Sequence, residues 1–344
     1  MVERLQPYAV GIVTGEQGVK LRARVTLEAI TGVLGMLPTP SVPDADQWSC
    51  VQSIDLDETA RMARMVVDGG IGILLTAGSF GEGATLTAAE HRLLTGCLVD
   101  AVGGQALIFA GATTLNTRET IALGRAHVAA GADGLFLGRP MWMSLDQRDI
   151  VRFYADIAEA LPGTPLIIYD NGFAFKARIA TETYRELARN PAILATKHIG
   201  GPAIADDLRA VAGAMRVLPV DAQWAVLARA FPNEALACWS GNVADGPEPL
   251  AVLARAVAAR DWDRADHWCA RMAWAQAPMF PGGKIENFVD YNVPIARGRL
   301  EGSGLVRSGP PRPPYLHAPA SYIEGGRETG RRWASLCCEA RLAG

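Results

Sequence analysis

The sequence predicts an α/β chain, a (β/α)8 TIM barrel followed by a C-terminal helical extension. Three observations point there. From about Thr31 onward, short continuous apolar runs alternate with amphipathic stretches, the pattern of a parallel sheet covered on both faces. The alternation repeats eight times before Ala259, and a barrel of this kind takes about 250 residues. No Gly-x-Gly-x-x-Gly follows the first apolar run, so the rival open doubly wound sheet lacks its usual phosphate-binding turn.

The first strand is Gly32 to Leu37, stopped by Pro38 and Pro40, and Asp55 to Val67 has helical spacing. Gly72 to Thr76 is the second strand. A Gly-rich turn and the helix Thr87 to Val102 follow, with Thr87 and Glu90 forming a capping box that satisfies free N–H groups at the helix start. The third unit is Ala106–Ala110 with Thr117–Ala130, and the fourth Gly134–Leu137 with Gln147–Ala160. The fifth is Pro165–Tyr169 with Ala180–Arg189, and the sixth Ile193–Lys197 with Ala203–Ala214. Met215–Pro219 with Gln223–Ala230, then Ala235–Trp239 with Pro249–Ala259, complete the eight. This divides the chain into an N-terminal segment (1–30), a barrel (31–259) and a C-terminal extension (260–344) that begins helical and ends as a loop-rich tail. The stretch Gly302 to Pro319, with three glycines and five prolines, reads as an extended surface segment.

Composition narrows the function. Of 344 residues 49% are hydrophobic, enough for a large core, and 33 Lys plus Arg nearly balance 36 Asp plus Glu. That balance carries no electrostatic footprint for nucleic acid or for a membrane surface, which leaves a small-molecule substrate. Met1 to Lys20 holds Glu3, Arg4, Glu16 and Lys20 and no signal-like apolar run, and no stretch nears the roughly 18 apolar residues of a membrane helix. The six cysteines lack CxxC spacing, so reduced thiols in the cytoplasm are expected.

In a barrel, functional groups gather at the C-terminal ends of the strands. Lys197 ends the apolar run Ile193–Thr196, where desolvation would favour the neutral amine, a nucleophile toward ketones. A strand-end lysine is more often a solvated charge or half of an ion pair. Tyr169, one strand earlier, is suited to relay protons or simply to pack. Gly78-Ser79-Phe80-Gly81 offers N–H groups and a hydroxyl to a carboxylate, although Gly-rich turns after strands are common. His198 should face away from Lys197 by the period of two. The remaining histidines, His91, His127, His267 and His317, show no metal-binding spacing, so no metal is expected. Asp55, Asp57 and Glu58 open a helix, where acids favour the dipole.

In this order and spacing these residues resemble the dihydrodipicolinate synthase and N-acetylneuraminate lyase superfamily of class I aldolases. The family's Gly-Thr-Thr-Gly-Glu turn corresponds to Gly78-Ser79-Phe80-Gly81-Glu82, its strand-five tyrosine to Tyr169 and its Schiff-base lysine to Lys197. Leu37-Pro38-Thr39-Pro40, Gly111 to Arg118, Gly138-Arg139-Pro140-Met141-Trp142, Tyr169-Asp170-Asn171 and Trp239-Ser240-Gly241-Asn242 look like a narrower branch. That branch holds trans-o-hydroxybenzylidenepyruvate hydratase-aldolase and 2'-carboxybenzalpyruvate aldolase. The resemblance implies a hydratase-aldolase that cleaves an arylidene-pyruvate to an aromatic aldehyde and pyruvate in aromatic-compound degradation. It implies Lys197 as nucleophile, Tyr169 as proton carrier, Gly78, Ser79 and Phe80 at the 2-oxo acid, and Trp239 and Asn292 at the aryl end. It implies no cofactor, and a homo-oligomer, a tetramer. Two departures stand out. Ser79 replaces the usual threonine, and Gly172-Phe173-Ala174 replaces Pro-Glu-Ala after the tyrosine, putting Phe173 where an acid is common. The arginine motif of lysine-biosynthetic members is missing. Two other readings remain: an aldolase for aliphatic or sugar-derived 2-oxo acids, which the aromatics Phe80, Trp142, Phe173 and Trp239 disfavour, and a non-catalytic barrel that binds 2-oxo acids.

Overall fold

The structure is a computed structural model that describes residues 25–343 and, ahead of them, the backbone of two short antiparallel strands, β1 (Ile12–Thr14) and β2 (Lys20–Arg22). Most of the segment 1–30, including Glu3, Arg4 and Glu16, lies outside the described residues.

Eight parallel strands follow in the order predicted. They are β3 (Gly32–Met36), β4 (Ile73–Leu75), β5 (Leu107–Gly111), β6 (Gly134–Leu137), β7 (Leu166–Tyr169), β8 (Ile193–Lys197), β9 (Arg216–Leu218) and β10 (Ala237–Ser240). Each pairs with the next, and β10 pairs with β3. The last seam, between β9 and β10, is closed by the Trp239 N–H donating to Pro219 O at 2.9 Å, with Val220 opposite Trp239. The chain therefore forms a TIM barrel.

Between the strands run α1 (Leu56–Asp68), α2 (Ala88–Val102), α3 (Thr117–Ala129), α4 (Gln147–Ala160), α5 (Thr181–Leu187), α6 (Ile204–Ala210), α7 (Trp224–Ala230) and α8 (Glu248–Ala258). Their starts are set by side chains. Asp55, Asn116 and Asp146 each accept the backbone N–H three residues on, and Thr87 with Glu90 forms the full capping box. The barrel strands divide their side chains between two cores. Leu166 and Ile168 face the helices, while Ile167 and Tyr169 join Leu34, Phe109, Phe136 and Leu218 inside the barrel.

The C-terminal region corrects the reading of a loop-rich tail. After α9 (Trp262–Gln276), α10 (Ile285–Val289) and α11 (Asn292–Ser303), the last 24 residues described form one helix, α12 (Ala320–Ala343), packed along α11. Its glycines are what disguised it, since glycine weakens an isolated helix. Here they allow backbone to touch backbone. A Cβ on Gly330 would lie 2.1 Å from Arg299 O, and one on Gly326 2.3 Å from Ile295 O. The Gly302–Pro319 stretch is extended between its helical ends but is not merely a surface segment, because Val306 and Arg312 within it are buried.

Among the described residues no helix is long and apolar enough to cross a membrane. The six cysteines form no disulfide.

Candidate active site

Lys197 is the last residue of β8 and sits directly beside Tyr169, the last residue of β7. A register shift places it there. Ile193 faces the helices, and strict alternation would turn Lys197 the same way. The β7–β8 ladder slips between Leu166 and Ile167, pairing them with Ile193 and Ala195, so β8 carries one extra residue. Leu194 and Ala195 both join the inner cluster, and Thr196 turns out to Tyr184. Lys197 thereby faces the barrel interior, a re-aiming typical of a bulge.

There its amine is buried. Nζ lies 3.8 Å from the centroid of the Trp239 ring and 4.8 Å from that of Tyr169. Burial among these rings pushes its pKa from 10.5 down to about 7, against a smaller opposing pull from the Asp170 carboxylate. Among the described residues no hydrogen-bond acceptor or carboxylate pairs with the Lys197 ammonium. A large fraction is thus the free amine near neutral pH.

Tyr169 is held on three sides. Its ring stacks on Phe136 with centroids 5.0 Å apart and meets the edge of Phe175 at 5.2 Å. Its hydroxyl shares a 2.8 Å hydrogen bond with Ser79 Oγ and accepts one from Asn171 Nδ2 at 3.1 Å. Burial raises the phenol's pKa, while the bonds from Ser79 and Asn171 work the other way. Gly78 lies beneath the ring, where a Cβ would stand 2.9 Å from Met36 Cε and 3.8 Å from Tyr169 Cε1. The turn that carries Ser79 is unusual in its backbone. Ala77 (φ 48°) and Glu82 (φ 52°), both non-glycine, take left-handed conformations at its two ends. The buried Glu82 carboxylate pairs with Arg297 of α11 and Arg312 of the tail.

Trp239 ends the inner face of β10, and its Nε1 donates to His198 O at 2.8 Å, which fixes the indole over Lys197. Phe80 crosses the next turn so closely that a Cβ on Gly241 would meet its ring at 2.8 Å. Phe80 also packs with Phe288, Met279 and Ile295 from the C-terminal region. Asn292 opens α11 beside that cluster, and its Oδ1 is out of solvent contact with no hydrogen-bond partner among the described residues. It makes no hydrogen bond to Lys197, Tyr169 or Trp239. Of the other aromatics named from the sequence, Phe173 is 41% exposed and Trp142 76% exposed, so neither forms part of the enclosed wall.

Residues behind the site complete it. His198 turns outward, as alternation requires, and its Nε2 lies 3.2 Å from Asp207 Oδ2. Asp170 accepts from Arg139 Nη1 at 2.9 Å and from the Tyr184 hydroxyl at 2.8 Å, a fully buried cluster that anchors the end of β7. Arg139 and Asp170 lie in the Gly-Arg-Pro and Tyr-Asp-Asn segments, but nothing local in those segments signals that the two residues pair. His91 and His127 stand edge to face and bond to the Gly83 and Gly111 carbonyls. Among the described residues no group of three or more His, Cys, Asp or Glu side chains is arranged to hold a metal ion.

Residues 35–212 match the dihydrodipicolinate synthetase family. The match spans the turn, the tyrosine and the lysine. The chain belongs to this family. Among similar proteins, trans-2'-carboxybenzalpyruvate hydratase-aldolase of Nocardioides sp. (strain KP7) is 45% identical over 316 residues, covering 91% of this chain and 95% of that protein. Trans-O-hydroxybenzylidenepyruvate hydratase-aldolase of Sphingobium xenophagum is 38% identical over 311 residues, covering 89% and 94%. The solved structure of PhdJ bound to substrate intermediate superposes with a TM-score of 0.91 at 48% identity, covering 92% of this chain and 99% of that one.

Proposed function

We propose that this chain is a lyase, a class I hydratase-aldolase that cleaves an arylidene-pyruvate to an aromatic aldehyde and pyruvate. The observation that carries the reading is the buried Lys197 amine, set against Tyr169, whose hydroxyl bonds to Ser79 at 2.8 Å. The names of the two hydratase-aldolase relatives support the substrate class.

The steps follow from those positions. Neutral Lys197 attacks the C2 ketone and water leaves, giving an iminium conjugated with the alkene. The iminium withdraws electrons, so water adds at the benzylic carbon and a proton is taken up at C3. The C3–C4 bond then breaks, releasing the aldehyde and leaving an enamine. Protonation of the enamine and hydrolysis of the iminium return pyruvate and free Lys197. One water is consumed overall. Tyr169 moves protons at the carbinolamine, with Ser79 and Asn171 orienting its hydroxyl. Ser79 and the N–H groups of the Gly78–Phe80 turn hold the carboxylate. Trp239 and Phe80 face the aryl group, with Asn292 near its far end. The electron sink is the protein's own iminium, and no cofactor enters the scheme.

The same reading makes the enzyme a cytoplasmic homo-oligomer, a tetramer, supported by membership of the family. Sedimentation measures the subunit number. The activity is tested by incubating the protein with trans-2'-carboxybenzalpyruvate and with trans-o-hydroxybenzylidenepyruvate. Equimolar pyruvate and aldehyde from either, absent with Lys197→Ala, is the expected result. Cleavage of aliphatic 4-hydroxy-2-oxo acids alone would overturn the aryl specificity.

A further inference from the structure

The turn that would grip the 2-oxo acid is not held by the barrel alone. Glu82, at its end, is buried with a left-handed backbone, a conformation that a non-glycine residue keeps only when its surroundings impose it. What imposes it comes largely from the C-terminal region. Glu82 Oε1 accepts from Arg297 Nε at 2.6 Å, and Oε2 accepts from the Arg312 backbone N–H at 3.2 Å and its Nη1 at 3.3 Å.

The Arg312 guanidinium then spreads to the neighbouring loop. It donates to Thr39 O at 3.1 Å, Pro40 O at 3.2 Å, Ser53 O at 3.0 Å and Ser53 Oγ at 2.6 Å. Thr39 in turn donates its hydroxyl to Gly81 O at 2.8 Å, inside the turn. Ser41 binds the tail backbone at Ser308 and Pro310. Arg312 thus joins the loop after β3 to the turn after β4, from a tail more than 50 residues beyond the last barrel helix. Its charge is not the point. Arg297 and Arg312 are matched by Glu82 and by Glu90, which accepts from Ser53 Oγ at 2.5 Å, so the cluster is balanced. What remains for Arg312 to supply is geometry, through donors in a fixed planar fork that a lysine cannot reproduce.

We propose that Arg312 is a positioning residue for the 2-oxo-acid grip: acting through Glu82 and Thr39, it sets where Ser79 and its neighbouring N–H groups meet the substrate carboxylate. This rests on the aldolase reading given above. It predicts a defect in binding the pyruvate part with the Lys197 chemistry intact.

The test uses the full chain and compares Arg312→Gln, Arg312→Lys and Arg307→Gln. Arg307 also ties the tail to the barrel, pairing with Glu58, but it does not touch the turn. The readout is the pyruvate concentration giving half-maximal borohydride trapping, and the trapping rate at saturation. Arg312→Gln should raise the half-saturation concentration on the order of tenfold or more, because a small misplacement of a binding group is that costly. The saturated rate should stay within about threefold, and Arg312→Lys should fall between Gln and the parent. Arg307→Gln should leave the half-saturation value unchanged. Equal shifts in Arg307→Gln and Arg312→Gln, or a lower plateau with unchanged half-saturation, would show general tail loosening and overturn the proposal. Should Arg312→Gln fail to fold, Arg312→Lys against Arg307→Gln carries the same comparison. Absence of trapping in the parent protein would instead strike the aldolase reading itself.

Discussion

Replacing Lys197 by methionine should make the protein more stable, by an amount that depends on pH in a defined way. Burial holds the amine near a pKa of about 7 in the folded chain, against 10.5 when it is exposed. The folded value is the lower one, so between pH 7 and 10.5 the unfolded chain binds the extra proton. The penalty of burying the amine is therefore full below about pH 7 and fades as pH rises through 10.5. At 1.36 kcal/mol per unit the whole shift is about 5 kcal/mol. It leaves about 4 kcal/mol at pH 7, where half the folded molecules are protonated, and about 1 kcal/mol at pH 9.5. Methionine fills much the same volume, and any packing error, typically under about 1.5 kcal/mol, is the same at both pH values and cancels in their difference. Urea unfolding of parent and Lys197→Met at pH 7 and 9.5 measures this directly. The advantage of the variant should shrink by about 3 kcal/mol over that interval. A variant that is less stable, or an advantage that does not change with pH, would refute the claim that the site strains its lysine toward neutrality.

Three further outcomes follow from the geometry. Tyr169→Phe keeps the ring between Phe136 and Phe175 but removes the hydroxyl bonded to Ser79 and Asn171; turnover should drop by about 10²- to 10⁴-fold while pyruvate still traps on Lys197. Trp239→Ala opens the face 3.8 Å from Nζ to water, so the pH of half-maximal trapping should move upward from about 7. Asp170→Ala strands the buried Arg139 guanidinium without its 2.9 Å partner and should cost about 3–5 kcal/mol in urea unfolding.

The barrel was legible because each of its cues is local. The capping residues Asp55, Thr87, Asn116 and Asp146 act within one helical turn, and runs such as Ile193–Lys197 are buried simply by being continuous. Parts of the site escaped because their causes lie far away in sequence. The sequence puts Lys197 at a strand end, where it lies, but its inward aim depends on a slip against β7 that no periodicity within β8 reveals. By sequence Glu58 is an acid favouring a helix dipole; in the structure it is fully buried and accepts from the Arg307 backbone N–H at 2.9 Å, a partner 249 positions on. Arg312 sits in a Gly- and Pro-rich stretch that looks like surface, and its contacts with Glu82, Ser53, Thr39 and Pro40, all far away in sequence, explain its burial. The α12 helix was hidden by glycines that local propensity counts against a helix, whereas packing on α11 requires them.

Intact-mass analysis after incubation with pyruvate and sodium borohydride tests most directly whether Lys197 forms a Schiff base with pyruvate. One pyruvate-sized adduct per chain, mapped by peptide analysis to Lys197 and absent from Lys197→Ala, is the expected result. A folded protein that takes up no adduct, or takes it up on another lysine, would rule out a Schiff base on Lys197; no adduct at all would favour a barrel that only binds 2-oxo acids.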